Sequence, residues 1–363
     1  MPAIRCESCG YPFPEDRIPH QCDQCGGFYD FDSEPVYHDE EIQNSLPGIW
    51  KYQHSFSLAN DAPVCFLGEG DTPLVWNNDR QIGFKLESMN PTGSYKDRGT
   101  AVLVSQLTSR GVTRAVEDSS GNAGASFAAY CARAGINGRV FVPETASGPK
   151  RRQIEQYGAE LVSVPGPRSE AARAVLEAVK DGQTYASHAF LPFGIPGVAT
   201  IAYELFEQTN GQIGTVIAPA GHGALILGVI RGFKALVYAG KMTRLPYFVG
   251  VQARNCSPMN AAFQYGMEKM QDTPEGQTIA EGVRVQKPVR VRAILKELSG
   301  GKGEIVAIPE EEILPGCTQL AHLGIYAEPT SALVWAALSH VKKEIPRPII
   351  LIISGNGLKY YPT

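Results

Sequence analysis

The chain has 363 residues, 43% of them hydrophobic, with 33 basic against 37 acidic side chains for a formal net charge of −4. At about 150 residues per domain, that length points to two domains plus an appendage, and without a basic stripe nucleic acid and anionic membrane are poor partners. No apolar run reaches the roughly 18 residues of a membrane span, and Met1–Cys6 lacks the apolar stretch of a signal peptide, so a soluble, cytoplasmic protein is expected.

The N-terminus carries the first chemistry. Cys6, Cys9, Cys22 and Cys25 form two Cys-x2-Cys pairs twelve residues apart, each followed by glycine (Gly10; Gly26 and Gly27) that lets the backbone turn toward an ion. Four thiolates on two knuckles match a closed, tetrahedral, structural Zn2+ site, and residues 1–35 are read as a zinc ribbon. Two disulfides fit less well, because the other four cysteines, Cys65, Cys131, Cys256 and Cys317, stand singly and read as packed side chains. His20 and His38 are read as surface residues, not ligands.

Next comes Leu67-Gly68-Glu69-Gly70-Asp71-Thr72-Pro73-Leu74, then Asn90-Pro91-Thr92-Gly93-Ser94-Tyr95-Lys96-Asp97-Arg98-Gly99, in which one lysine stands between a glycine-serine turn and a helical pattern. A lysine that must form a Schiff base needs such a fixed, partly desolvated setting. A polar helix start, capped by Ser94 or Thr92 with Asp97 near the positive end of the dipole, reads the same residues blandly. Strand Ala115–Asp118 then enters Ser119-Ser120-Gly121-Asn122-Ala123-Gly124, followed by an alanine-rich helix, Ala125–Ala134, with Gly135 as C-cap. Strand Arg139–Val142, helix Lys150–Tyr157, strand Leu161–Val164, helix Ser169–Val179 and strand Tyr185–Ser187 continue the alternation.

Strand Thr215–Pro219 runs into Gly221-His222-Gly223-Ala224-Leu225 and a helix to Tyr238, a combination that offers unpaired N–H groups to a phosphate. It is not a dinucleotide fingerprint, since the third glycine and the later acidic residue are missing. Strand Tyr247–Gln252, the segments Thr278–Gly282 and Glu328–Ala332, and a last strand, Pro348–Ile353, ending in Ser354-Gly355-Asn356-Gly357, complete the chain. The rhythm argues for an α/β fold with doubly wound parallel sheets, its ligand loops beyond the carboxyl ends of the strands.

These segments, in this order, resemble the fold-type-II pyridoxal-phosphate (PLP) enzymes of the tryptophan synthase beta-like superfamily, and the threonine synthase family in particular. The resemblance implies two α/β domains, residues 36–98 with 200–363 as the larger PLP-binding one and 99–199 as a smaller, mobile one. It implies PLP on Lys96, the ring hydroxyl oxygen on Asn122, the phosphate on Gly221, His222, Gly223, Ala224 and Leu225, and the pyridine nitrogen on Ser354. Substrate contacts would come from Ser94, Ser119, Ser120 and Lys150. The implied reaction is conversion of O-phosphohomoserine and water to threonine and phosphate by a homodimer, with Lys96 moving the protons.

The chain departs from the family in two places. Where the family reads Ser-Thr-Gly-Asn-Thr-Ser-Ala-Ser, Ala123 and Gly124 lose two hydroxyls. Where many threonine synthases carry polar residues for the substrate phosphate, residues 188–199 are largely apolar, and an apolar loop does not offset the desolvation of a dianion. Lys150, Arg151 and Arg152 could compensate, or be a solvated face. Elimination or replacement on a smaller amino acid, as in serine and threonine ammonia-lyases, stays open, as does an idle zinc-ribbon binding protein, which the intact Lys96 argues against.

Overall fold

The computed structural model describes all residues except 1–2, 34, 60, 80, 145–147, 167, 343 and 361–363. In chain order the strands are β1 (Ile4–Cys6), β2 (Tyr29–Phe31), β3 (Leu74–Trp76), β4 (Ile82–Lys85), β5 (Arg114–Glu117), β6 (Asn137–Pro143), β7 (Glu160–Val164), β8 (Thr184–Tyr185), β9 (Thr215–Pro219), β10 (Tyr247–Ala253), β11 (Gly303–Ile308) and β12 (Ile349–Ile352). The helices are α1 (Lys96–Ser109), α2 (Asn122–Ala134), α3 (Pro149–Gln156), α4 (Arg168–Lys180), α5 (Ile195–Thr209), α6 (Ala224–Tyr238), α7 (Pro258–Tyr265), α8 (Val291–Leu298), α9 (Ile313–His322) and α10 (Pro329–Ala336). Among the described residues, no helix is long and apolar enough to cross a membrane.

The chain divides into two compact units, Met1–Gly70 with Lys96–Gly197, and Asp71–Tyr95 with Val198–Thr363. Residues 36–70, assigned from sequence to the larger domain, thus group with the smaller one. The reason is a set of buried contacts: Cys65 N–H donates to Ser105 Oγ at 2.9 Å, and Gln106 Nε2 reaches the carbonyls of Phe56 and Ser57 at 3.2 and 3.0 Å. Glu69, fully buried, accepts from Trp50 Nε1 at 2.8 Å, Tyr130 OH at 2.6 Å and Leu67 N–H at 3.0 Å. Burial pushes its carboxyl up, and these donors pull the other way.

In the first unit the parallel sheet runs β7-β6-β5-β8, and in the second the sheet runs β11-β10-β9-β12-β4-β3, parallel except for the β3–β4 pair. Both sheets share one device. From β5 the chain winds to β6 and β7 and returns on the other side at β8; from β9 it winds to β10 and β11 and returns at β12. A strand order that reverses this way opens a crevice at the carboxyl ends of the strands that flank the reversal, β5 with β8 and β9 with β12. Strands β9 and β12 are buried at every residue, as a sheet covered on both faces requires. Their side chains share a core with Phe84, Val249, Val251, Ile308 and Leu333.

A buried ion pair fixes the start of the second unit. Lys85, wholly inaccessible at the end of β4, donates to Glu204 Oε2 at 2.6 Å, Gln208 Oε1 at 3.0 Å and the Thr72 carbonyl at 2.7 Å. Asp71 N–H holds the other Glu204 oxygen at 2.8 Å. Breaking such a pair strands one buried charge. Lys85→Met is expected to lower stability by about 3–5 kcal/mol, and Lys85→Met combined with Glu204→Leu to recover part of that loss. Urea unfolding midpoints of the two variants check this; a single variant as stable as wild type would show that the pair does not hold the segment.

Candidate active site

In the second unit the family-like segments converge by hydrogen bonds. Asn90 Nδ2 donates to the Glu87 carbonyl at 2.8 Å and to its carboxylate at 2.9 Å, and Gly93 N–H closes the turn on Asn90 O at 2.7 Å. Gly93 sits at φ +85°, where only glycine is comfortable. The next residues pair with the end of the last strand: Asn356 N–H to Gly93 O at 3.0 Å, a bridge between Ser94 and Gly355, and Tyr95 N–H to Ser354 O at 3.0 Å. Lys359 Nζ adds a bond to the Thr92 carbonyl at 2.7 Å. Lys96 follows one peptide bond later as the first residue of α1 and is half-buried.

Ser354 lies past the carboxyl end of β12, adjacent to β9, whose own carboxyl end leads into residues 220–223. Ala220 N–H bonds the Val251 carbonyl at 2.8 Å, and the His222 carbonyl accepts Arg290 N–H at 3.1 Å, so this loop is pinned at both ends. Glycine is demanded twice. A Cβ on Gly221 would meet the Gly282 carbonyl at 2.6 Å, and Gly223, at φ +102°, would meet Ile294 at 2.4 Å. The first bond of α6 runs from Leu227 N–H to Gly223 O, so the N–H groups of Ala224, Leu225 and Ile226 precede the helical ladder and face an incoming anion.

The two other family-like segments join the same cluster. Gly282 N–H donates to Thr330 Oγ1 at 3.0 Å, and Ser331 Oγ lies 3.0 Å from Ser354 Oγ. Ser94 Oγ is wholly buried and has no hydrogen-bond partner among the described residues. A buried hydroxyl left unmatched is costly unless a ligand meets it.

The remaining expected site residues belong to the first unit. Asp97, buried directly after Lys96, accepts Ser126 Oγ at 2.6 Å, which ties the first turn of α1 to α2. Gly197 packs on the other side of that turn, where a Cβ would come within 2.1 Å of the Arg98 carbonyl. Asn122, expected in a loop, is the first residue of α2, and the helix begins three residues before the expected Ala125. Ser119, buried, caps its own loop by accepting Gly121 N–H at 3.3 Å, while Ser120 is half-buried. A Cβ on Gly124 would lie 1.8 Å from the Ser119 carbonyl, so this backbone has no room for the family's serine there.

Of the basic cluster, Arg151 is engaged by Glu155 at 3.4 Å and Ser163 Oγ at 3.3 Å, and Arg152 is exposed. Lys150, near the start of α3, is half-buried.

The cysteine knuckles meet. Cys6 and Cys25 Sγ lie 3.5 Å apart, Cys9 and Cys22 Sγ 3.7 Å, and all four sulfurs fall within 4.8 Å of one another. Four thiolates at about 2.3 Å from a tetrahedral Zn2+ would be spaced at about 3.8 Å. Gly10 and Gly26, at φ +72° and +70°, return their N–H groups to the Cys6 and Cys22 carbonyls. His20, expected at the surface, is instead packed 5.4 Å from the Tyr185 ring and 5.7 Å from Phe190, and burial holds its imidazole below the usual value. The ribbon meets the apolar stretch elsewhere too, with Phe13 on Phe193 at 5.4 Å and Phe28 on Phe190 at 5.5 Å. The apolar character of residues 188–199 therefore has a packing cause.

Residues 65–355 match the family described as "Pyridoxal-phosphate dependent enzyme". The chain is 33% identical to the threonine synthase of Methanocaldococcus jannaschii, over 98% of this chain and 92% of that one, and 30% identical to the threonine synthase of Methanosarcina acetivorans, over 92% and 85%. Among solved structures it resembles a threonine deaminase from T.th., with TM-score 0.68, 24% identity and coverage of 80% of this chain and 94% of that one. Maize serine racemase, at TM-score 0.68 and 21% identity over 79% and 88%, shares the fold. With a fold-type-II architecture and this match over most of its length, the chain belongs to the pyridoxal-phosphate dependent enzyme family, among the relatives of threonine synthase.

Proposed function

We propose that this protein is a threonine-synthase-like lyase, converting O-phosphohomoserine and water to threonine and phosphate. The observation that carries the reading is the likeness to the archaeal threonine synthase over 98% of the chain, ribbon included. The residues present fit PLP: a glycine loop and helix N-terminus for its phosphate, a lysine on a braced turn, and buried hydroxyls for its ring. Bound there, the cofactor supplies a sink for the electron pair left at Cα.

The remaining work falls to the chain. Lys96 would hold the cofactor and would move protons at the substrate Cα and Cβ. Asn122 would orient the ring through its hydroxyl oxygen, and Gly221, His222, Gly223, Ala224 and Leu225 would bind the cofactor phosphate. Ser354 would meet the pyridine nitrogen with a neutral hydroxyl, which would not enforce a protonated ring and so would favour elimination and replacement over transamination. Ser119, Ser120 and the N–H groups around them take the substrate carboxylate, and Ser94 supplies a further hydroxyl near the lysine.

A second reading has an observation of its own. Phe190 and Phe193 pack on the ribbon, and Arg151 meets Glu155 and Ser163, so residues 188–199 offer mainly packing groups where a substrate phosphate would need polar ones. An apolar stretch committed to packing favours elimination on an unphosphorylated amino acid. Phosphate release from O-phosphohomoserine, measured beside keto-acid release from threonine and serine, decides between them. The expected result is phosphate release that Lys96→Ala abolishes together with the visible absorption of the holoenzyme. Lys150→Ala should lower kcat/KM for O-phosphohomoserine about a hundredfold, the value of one charge-assisted contact of roughly 2–3 kcal/mol. Keto acid without phosphate would transfer the proposal to the second reading.

For the ribbon, we infer one Zn2+ per chain on Cys6, Cys9, Cys22 and Cys25. Such sites stabilise the fold they sit in, and chelation should therefore open residues 3–33 to proteolysis while the holoenzyme spectrum is retained. Elemental analysis of protein purified under reducing conditions checks the stoichiometry; absence of zinc would refute it.

A further inference from the structure

Ser331, on the first turn of α10 and wholly buried, belongs to no role given so far. Its hydroxyl accepts Gly355 N–H at 2.8 Å and stands 3.0 Å from Ser354 Oγ and 3.1 Å from the Gly355 carbonyl. A serine hydroxyl has a single proton to give. The Gly355 carbonyl already accepts Glu328 N–H at 3.2 Å, whereas Ser331 is the hydrogen-bond partner of Ser354 Oγ among the described residues. The Ser331 proton thus has two acceptors in reach, the second lone pair of the Gly355 carbonyl and Ser354 Oγ, and the carbonyl is the one already served by another donor.

The main chain of Ser354 is held by Tyr95 N–H on its carbonyl, so rotation of its side chain is the freedom that remains. We infer that Ser331 is a positioning residue that removes it: by donating to Ser354 Oγ, Ser331 leaves the Ser354 proton, and not a lone pair, aimed at the pyridine nitrogen of the cofactor. This rests on the reading that Ser354 faces that nitrogen. An accepted hydrogen bond also polarises the Ser354 O–H and makes it a better donor, as in other buried hydroxyl chains. The ring nitrogen is thereby kept unprotonated and hydrogen-bonded. Were Ser331 to turn its proton to the Gly355 carbonyl, Ser354 would donate back to Ser331 and present a lone pair, an arrangement suited to a protonated ring.

The test uses holoenzyme reconstituted with PLP labelled with 15N in the ring, and reads the ring-nitrogen chemical shift. Ser354→Ala defines the resonance without a serine donor. Ser331→Ala is expected to move the wild-type resonance toward that position and to slow exchange of the substrate α-proton with solvent deuterium by about five- to tenfold, the scale of one buried hydrogen bond. Ser331→Thr keeps the hydroxyl and should restore both. Ser331→Cys keeps a similar volume with a weaker donor and carries the comparison if the alanine variant does not fold. A wild-type resonance in the folded alanine or cysteine variant, alongside a shifted Ser354→Ala, overturns the inference alone. An unshifted Ser354→Ala overturns the placement of Ser354 itself, and the inference with it.

Discussion

The hydrogen bond from Tyr95 N–H to the Ser354 carbonyl is the constraint on which the site depends. It belongs to a short antiparallel pairing that joins residues 93–95 to the residues that follow β12, all within the second unit. Beyond Lys96, the Asp97–Ser126 bond and the close approach of Gly197 hold the first turn of α1 from within the first unit.

That pairing is supported in turn by an unusually polar interior. Residues 71–95 cross the second unit with Lys85, Glu87, Asn90 and Thr92 all buried, and Glu204, Gln208 and Lys359 come from distant parts of the chain to meet them. Apolar packing alone resists sliding poorly, because dispersion contacts are individually weak and non-directional. Charge-assisted bonds with fixed partners specify register. Stability is given up in desolvating Lys85 and Glu204, and what is gained is a segment with one position.

Much of this was legible in the sequence, for identifiable reasons. The strand Thr215–Pro219 and the helix Ala224–Tyr238 have the bounds that periodicity and the glycines imply, because a buried strand and a strongly apolar helix face leave little choice. The cysteine spacing implies the knuckles because two Cys-x2-Cys turns have few ways to converge. Less could be read where tertiary partners decide. Nothing local to Glu69 announces a buried carboxyl, since its donors Trp50 and Tyr130 lie 19 and 61 residues away. The grouping of residues 36–70 with α1 depends on such long-range bonds, and so does the role of Ser331, whose motif was visible while its proton partner was not. His20 read as a surface residue because its aromatic neighbours, Tyr185 and Phe190, stand far downstream in the chain.

The two departures from the threonine synthase pattern acquire physical causes that bear on specificity. Gly124 is not a casual loss of a serine: the Ser119 carbonyl occupies the space its side chain would need, which draws the loop closed against the start of α2. The apolar 188–199 stretch is likewise occupied, its aromatic rings turned to the ribbon while His188 Nδ1 stays 3.2 Å from the buried Glu117. Phe190 and Phe193 pack on the N-terminal segment through Phe28 and Phe13, so the apolar character of the stretch is accounted for by packing within the first unit, before any ligand is considered.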